Sequence, residues 1–321
     1  MMYEIINAPE ELKAIYGELR TKAKINLPEL ANKWISYADV SSKSQDTYKR
    51  AIRQFLYHLQ NNAISEPKRE DVISWREGLK TEKKPATVTA YMAAVKLFFR
   101  WTAEEQLYPN IADHIKAGVK VDREHKKDYL TSKQTGDLLQ EIDRSTVTGK
   151  RDYAIISLMA TTGLRTISVV NANIEDIRTA GDSTVLYYQG KGHNEKGTFV
   201  KLAEPVEKAI RDYLKTRTAA DPKQPLFTSI SNRNQNGRMT TRSISSIAKT
   251  HMIEIGLNDS RHTAHSLRHT AASLNLLNGG TLEETQQLLD HANINTTMIY
   301  AQALSRAENQ SESRIANAIF G

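Results

Sequence analysis

Six residues of this 321-residue chain carry side chains suited to attack on a phosphate ester, and they fall in four short stretches. Thr162-Gly163-Leu164-Arg165-Thr166 places a guanidinium just after a glycine turn, and Gly190-Lys191-Gly192 places a lysine between two glycines. Ala264-His265-Ser266-Leu267-Arg268-His269 sets a histidine and an arginine three apart, on one face of a helix. Asp290-His291-Ala292-Asn293-Ile294-Asn295-Thr296-Thr297-Met298-Ile299-Tyr300 ends on a tyrosine nine residues after a histidine. The planar fork of an arginine matches two oxygens of one phosphate. A phenol oxygen can act as a covalent nucleophile when a base takes its proton. There is no cysteine, so disulfides, thiolate zinc sites and cysteine nucleophiles are excluded, and covalent chemistry has to use oxygen or nitrogen.

Each part has a plainer explanation when taken alone. Arg165 could form an interhelix ion pair, Lys191 could be an exposed turn lysine, and Tyr300 could be a core or rim residue. His265 and His269, four apart with His262 nearby, have a spacing that could hold a metal. Zinc protease motifs place a glutamate inside such a pair, whereas here Arg268 lies within it and would repel the ion. Order and spacing together make the signal.

These residues need elements to position them. Residues 1–25 read as a mixed-charge lead-in with a helix around Ala8 to Lys22. A helix with proline in its first turn starts at Leu27. Tyr48, Ile52, Phe55, Leu56 and Leu59 recur at spacings of three and four, which predicts an amphipathic helix with a basic outer face. Helices are also expected over 68–79 and 86–105, the second with Val88, Met92, Val95, Phe98 and Phe99 as its apolar stripe. Between Ser41 and Arg100 there are 12 Lys and Arg against 6 Asp and Glu. That excess fits either a solvated helical bundle or a surface that grips phosphates. Residues 26–115 therefore read as one helical domain, and 116–128, charged and without hydrophobic period, as a linker.

Beyond it, a catalytic domain is expected over 129–304. Helices are predicted over 131–143 and 150–162. Two short strands, 184–189 and 197–202, flank the Gly-Lys-Gly turn as a hairpin. Helices follow over 205–216, 240–255, 263–277 and 282–288. A last helix over 305–318 is expected past the tyrosine, in a tail of 305–321.

A net charge of +7 and a sequence pI near 9.3 favour an anionic partner. Hydrophobic residues at 39% and charged ones at 25% are ordinary for a soluble protein. No run of about 18 apolar residues suggests a membrane span, and the N-terminus does not read as a secretory signal, so a cytoplasmic location without membrane contact is expected.

In chain order, Arg165, Lys191, His265 with Arg268, His291 and Tyr300 resemble the tyrosine recombinase or phage integrase family, over about residues 26 to 318. The motifs that carry the likeness are Thr162-Gly163-Leu164-Arg165, Gly190-Lys191-Gly192, His265-Ser266-Leu267-Arg268-His269-Thr270 and Leu289-Asp290-His291 through Tyr300. The resemblance implies a mostly α fold: a helical, SAM-like core-binding domain and a mainly α catalytic domain with a small antiparallel sheet, closing as a C-shaped clamp on duplex DNA. It also implies site-specific recombination by a homotetramer on paired double-stranded DNA sites, with Tyr300 forming a 3′-phosphotyrosyl link and with no cofactor, neither ATP nor metal.

By the same analogy His265 assists proton transfer at the tyrosine, Lys191 protonates the departing 5′-oxygen and His291 donates a hydrogen bond to the phosphate. The tail would dock on a neighbouring protomer or on its own domain. Type IB topoisomerase-like relaxation and a catalytically silent DNA-binding regulator are the competing readings. Three positions depart from the pattern. Ser168 stands where many relatives carry an acid, so acidic support is missing or comes from elsewhere, with Glu175 and Asp176 as candidates. Asp290 replaces the usual glycine before the late histidine, where it could cap a helix or form an ion pair. Lys196 is a second lysine in the hairpin turn.

Overall fold

A computed structural model gives the fold and describes residues 26–119, 128–190, 195–217 and 221–321. The expected helix at 8–22, most of the predicted linker and Lys191 lie outside the described residues. The chain divides into two compact units between residues 123 and 124.

The first unit is helical: α1 (Leu27–Tyr37), α2 (Ser42–Asn61), α3 (Arg69–Glu82) and α4 (Pro85–Glu104). Capping fixes where they begin. The Asn26 side chain accepts the Glu29 N–H, Ser41 accepts the Ser44 N–H, and Asp71 accepts the Lys68 N–H. The predicted stripes face inward, and Phe55 packs edge-on against Trp75 and Phe99 while Trp34 meets Phe98. Lys43, Lys49, Arg50 and Arg53 lie exposed on α2.

The second unit holds α5 (Ser132–Glu141), α6 (Val147–Thr162), α7 (Thr166–Asn171), strands β1 (Ile177–Ala180), β2 (Ser183–Tyr188) and β3 (Thr198–Lys201), then α8 (Glu204–Leu214), α9 (Thr241–Glu254), α10 (Ala264–Leu277), α11 (Leu282–Leu289), α12 (Asn295–Glu308) and α13 (Ser311–Phe320). Helix α6 is buried around most of its circumference, as a central core helix must be, and packs against α8 and α10. The sheet is antiparallel in the order β1-β2-β3, with Leu186 opposite Ile177 on one side and Val200 on the other. Among the described residues no helix is long and apolar enough to cross a membrane.

The element boundaries differ from expectation in two places that matter. Strand β1 and the short α7 are additional, so the hairpin supplies two strands of a three-stranded sheet. Tyr300 does not stand ahead of a helix over 305–318 but lies within α12, and the break falls at Asn309–Gln310, after which the last helix, α13, begins. The stretch Asn293-Ile294-Asn295-Thr296-Thr297 is a poor intrinsic helix former. Packing of α12 on α10 and α11 overrides that preference and buries Thr297, Tyr300 and Leu304.

Two of the helix ends that turn left-handed sit beside predicted site residues. Helix α6 closes on Gly163 at φ 64°, whose N–H donates to the Met159 carbonyl at 3.0 Å. A Cβ at 163 would stand 2.6 Å from Leu289 Cδ2 and 3.3 Å from Ala271 Cβ. Helix α11 closes on Asp290 at φ 50°, ψ 52°. Gly163→Ala is expected to lower unfolding free energy by about 2–4 kcal/mol, combining a left-handed backbone penalty with overpacking. Urea denaturation measures it, and an unchanged midpoint would refute the close approach of α6 to α11.

Candidate active site

Arg268 organises the site. Its side chain leaves α10 and is buried, with Nη1 donating to the Gly163 carbonyl at 2.5 Å and Nη2 donating to the Leu289 carbonyl. Both carbonyls belong to helix C-termini, where backbone acceptors lack intrahelical donors and the dipole favours a cation. Burial, followed by the nearby positive charge of Arg165, lowers its pKa to about 10. It therefore stays charged at neutral pH.

Arg165 and His291 follow the two clamped ends, each two residues beyond a carbonyl that Arg268 holds. Arg165 occupies the N-cap position of α7, about a quarter exposed, with Nη1 3.9 Å from Asp290 Oδ2. His291 Nδ1 lies 2.9 Å from the hydroxyl of the fully buried Thr297, which fixes the ring's orientation. Its backbone is held as well: its N–H donates to the Gln286 carbonyl, and its own carbonyl accepts from Gln286 Nε2.

Tyr300 is 4% exposed, so its hydroxyl is shielded before any substrate arrives. Desolvation pushes its pKa up, and the fields of Arg268 and then Arg165 pull it back down. At neutral pH it is a neutral phenol that has to lose a proton as it attacks. Its ring meets His269 at 5.2 Å between centroids, and His269 meets His265 edge-on at 4.6 Å. His265 is exposed at the rim, whereas His269 is buried. The two histidines thus run along α10 toward the tyrosine.

The hairpin turn is partly described. Lys196 donates to the buried Asp176 at 2.5 Å, and the same carboxylate oxygen accepts the Asn173 N–H at 2.6 Å. Asp176 is therefore engaged by a lysine and a backbone amide. Ser168 is buried and its hydroxyl faces the Gln189 carbonyl at 3.5 Å, two residues before Lys191. Asp290 both caps α11 and pairs with Arg165.

Arg165, Arg268, His265, His291 and Tyr300 are thus carried by neighbouring elements of one unit. Sequence reasoning missed Tyr188, which is buried at the end of β2 and shares the fields of Asp290, Arg268 and Arg165. Burial first, then the Asp290 charge, push its pKa up to about 12. Its only sequence signal was its place two residues before Gly190-Lys191. Thr297 was also missed, although Thr297, Tyr300 and Leu304 follow a helical period.

Comparison with known proteins shows the family of the chain. The phage integrase family model matches residues 128–306, and the model of the phage integrase N-terminal SAM-like domain matches residues 30–108. The chain is 36% identical over 173 residues to tyrosine recombinase XerC of Caldanaerobacter subterraneus subsp. tengcongensis, covering 54% of this chain and 46% of that protein. It is 30% identical over 234 residues to tyrosine recombinase XerC of Chlamydia trachomatis serovar L2, covering 73% and 72% respectively. In fold it is similar to the XerH site-specific recombinase, solved bound to a palindromic difH substrate as a post-cleavage complex. That match has a TM-score of 0.65 at 19% identity, covering 82% of this chain and 78% of the other.

Proposed function

The chain belongs to the phage integrase family, and from that premise we propose that it is a site-specific tyrosine recombinase that cuts and rejoins duplex DNA through Tyr300. The observation that carries the reading is a phenol buried within the fields of two arginines, one of them locked in place by backbone carbonyls. The relatives' names and the DNA complex of the structural neighbour support it.

Tyr300 Oη attacks the scissile phosphorus and forms a P–O bond as the bond to the deoxyribose 5′-oxygen breaks. The phenol proton leaves by way of His265, and the departing 5′-oxygen gains a proton from Lys191. The product is a 3′-phosphotyrosyl link and a free 5′-hydroxyl, and attack by a 5′-hydroxyl reverses the step. Because the link conserves the energy of the broken bond, ATP is not needed. Negative charge grows on the nonbridging oxygens, where Arg165, Arg268 and a hydrogen bond from His291 neutralise it. The two guanidinium groups take the part that a metal plays in other phosphoryl transfers.

The basic face of α2 supplies phosphate contacts that hold the duplex without reading its sequence. The enzyme works in the cytoplasm as a homotetramer on paired sites. Helix α13 supports that assembly. None of its residues is buried, and Ile315, Ile319 and Phe320 are 58%, 66% and 86% exposed, an apolar face suited to a groove on a neighbouring protomer.

On a nicked suicide duplex that traps the intermediate, the native chain is expected to form a covalent adduct that maps to Tyr300, and Tyr300→Phe is expected to form none. An adduct that survives this substitution refutes the nucleophile, and a native chain that binds DNA without forming any adduct makes it a silent regulator. Relaxation of any plasmid regardless of sequence would point to topoisomerase-like action. Deleting residues 311–321 should abolish paired-site complexes in a gel-shift assay while leaving single-site binding within about threefold, the scale of a lost peripheral contact. Paired complexes that persist would place this helix outside the assembly.

A further inference from the structure

Among the described residues, Asp290 is the one non-glycine residue that closes a helix of the second unit in the left-handed region. At the equivalent end of α6 the chain uses glycine. Glycine adopts this conformation without a Cβ penalty, so an aspartate there invites a chemical reason. Its carboxylate supplies one. Oδ2 lies 3.9 Å from Arg165 Nη1, both side chains are about a quarter exposed, and its charge also reaches Arg268 and Tyr188.

Among the described residues no other carboxylate pairs with Arg165. Ser168, one turn along α7, offers a buried neutral hydroxyl aimed at a backbone carbonyl. Asp176 is committed to Lys196 and the Asn173 amide. The charge of Arg165 lowers the pKa of Arg268, and the Asp290 carboxylate beside them acts in the opposite direction on it. Arg268 has two carbonyls to fasten it, whereas Arg165 has a carboxylate at 3.9 Å, a distance that restrains the guanidinium and still lets it turn to a phosphate.

We propose that Asp290 is the positioning residue for Arg165. It supplies a carboxylate to Arg165 from the end of α11, and accepts a left-handed backbone to do so. This inference rests on the recombinase reading above. The carboxylate holds Arg165 toward the substrate position in the free enzyme and gives way when phosphate binds. Its effect therefore falls on the rate of cleavage at saturating DNA more than on DNA affinity.

Single-turnover cleavage of the suicide duplex and DNA binding, measured separately on the full chain, test this. Asp290→Asn keeps a side chain that tolerates the left-handed region but loses the charge. Asp290→Gly loses the charge and relieves the backbone. Both are expected to cleave about 10-fold more slowly, the scale of a lost supporting contact, with the DNA dissociation constant within about threefold of the native value. Asp290→Gly should melt no lower than the native chain, separating loss of charge from loss of fold.

A native-like rate for Asp290→Asn overturns the inference. So does an Asp290→Gly variant whose melting temperature falls along with its rate, since Asp290 would then be only a cap. A native chain that forms no Tyr300 adduct overturns both this inference and the recombinase reading. An active native chain matched by Asp290→Asn overturns this inference alone.

Discussion

The site of the second unit is built around the buried cation of Arg268. A guanidinium removed from water without partners would be strongly destabilising, and Arg268 avoids that by donating to the carbonyls of Gly163 and Leu289. Those are the last acceptors of two different helices, so one side chain on α10 ties the ends of α6 and α11 together. Arg165 and His291 follow those ends directly. The side chain that would neutralise charge on a phosphate thus also fixes where its two neighbours begin.

Tyr300 is held by a different balance. Its helix has little intrinsic tendency to form, and burial of Thr297, Tyr300 and Leu304 against α10 and α11 supplies what propensity lacks. Burial also keeps the phenol neutral, while the two arginines make its ionised form less costly. In the role proposed for it, such a phenol would become reactive when a base and a phosphate are both at hand.

The helical faces of the first unit were legible because they depend on local periodicity: Ile52, Phe55 and Leu59, or Val88, Met92, Val95 and Phe99, announce their own burial. Arg165, His265, Arg268, His291 and Tyr300 could be singled out in the sequence, and the fold carries these five on neighbouring elements of one unit, as it does the Asp290 ion pair that the sequence left open. Strand β1 was not, since only Ile177 and Ala180 are apolar in it, although the two-residue Gly181-Asp182 turn is the hairpin signal that could have revealed it. The helix around Tyr300 was missed because tertiary packing forms it. The partners of Arg268 could not be read at all: backbone carbonyls carry no residue identity, and both lie far from position 268 in the chain. Tyr188 was hidden for the same reason, its surroundings being set by the fold.

The central claim is that Arg268 fastens the helix ends that bear the site, and amide hydrogen exchange in Arg268→Gln tests it most directly. The amides of Gly163, Asp290 and His291 donate to Met159, Gln287 and Gln286 in the native chain. In the variant they are expected to exchange about 10-fold faster or more, while those of α4 in the first unit keep native protection. Unchanged protection at Gly163, Asp290 and His291 would contradict the account, leaving Arg268 as a charge beside a site that other contacts hold together.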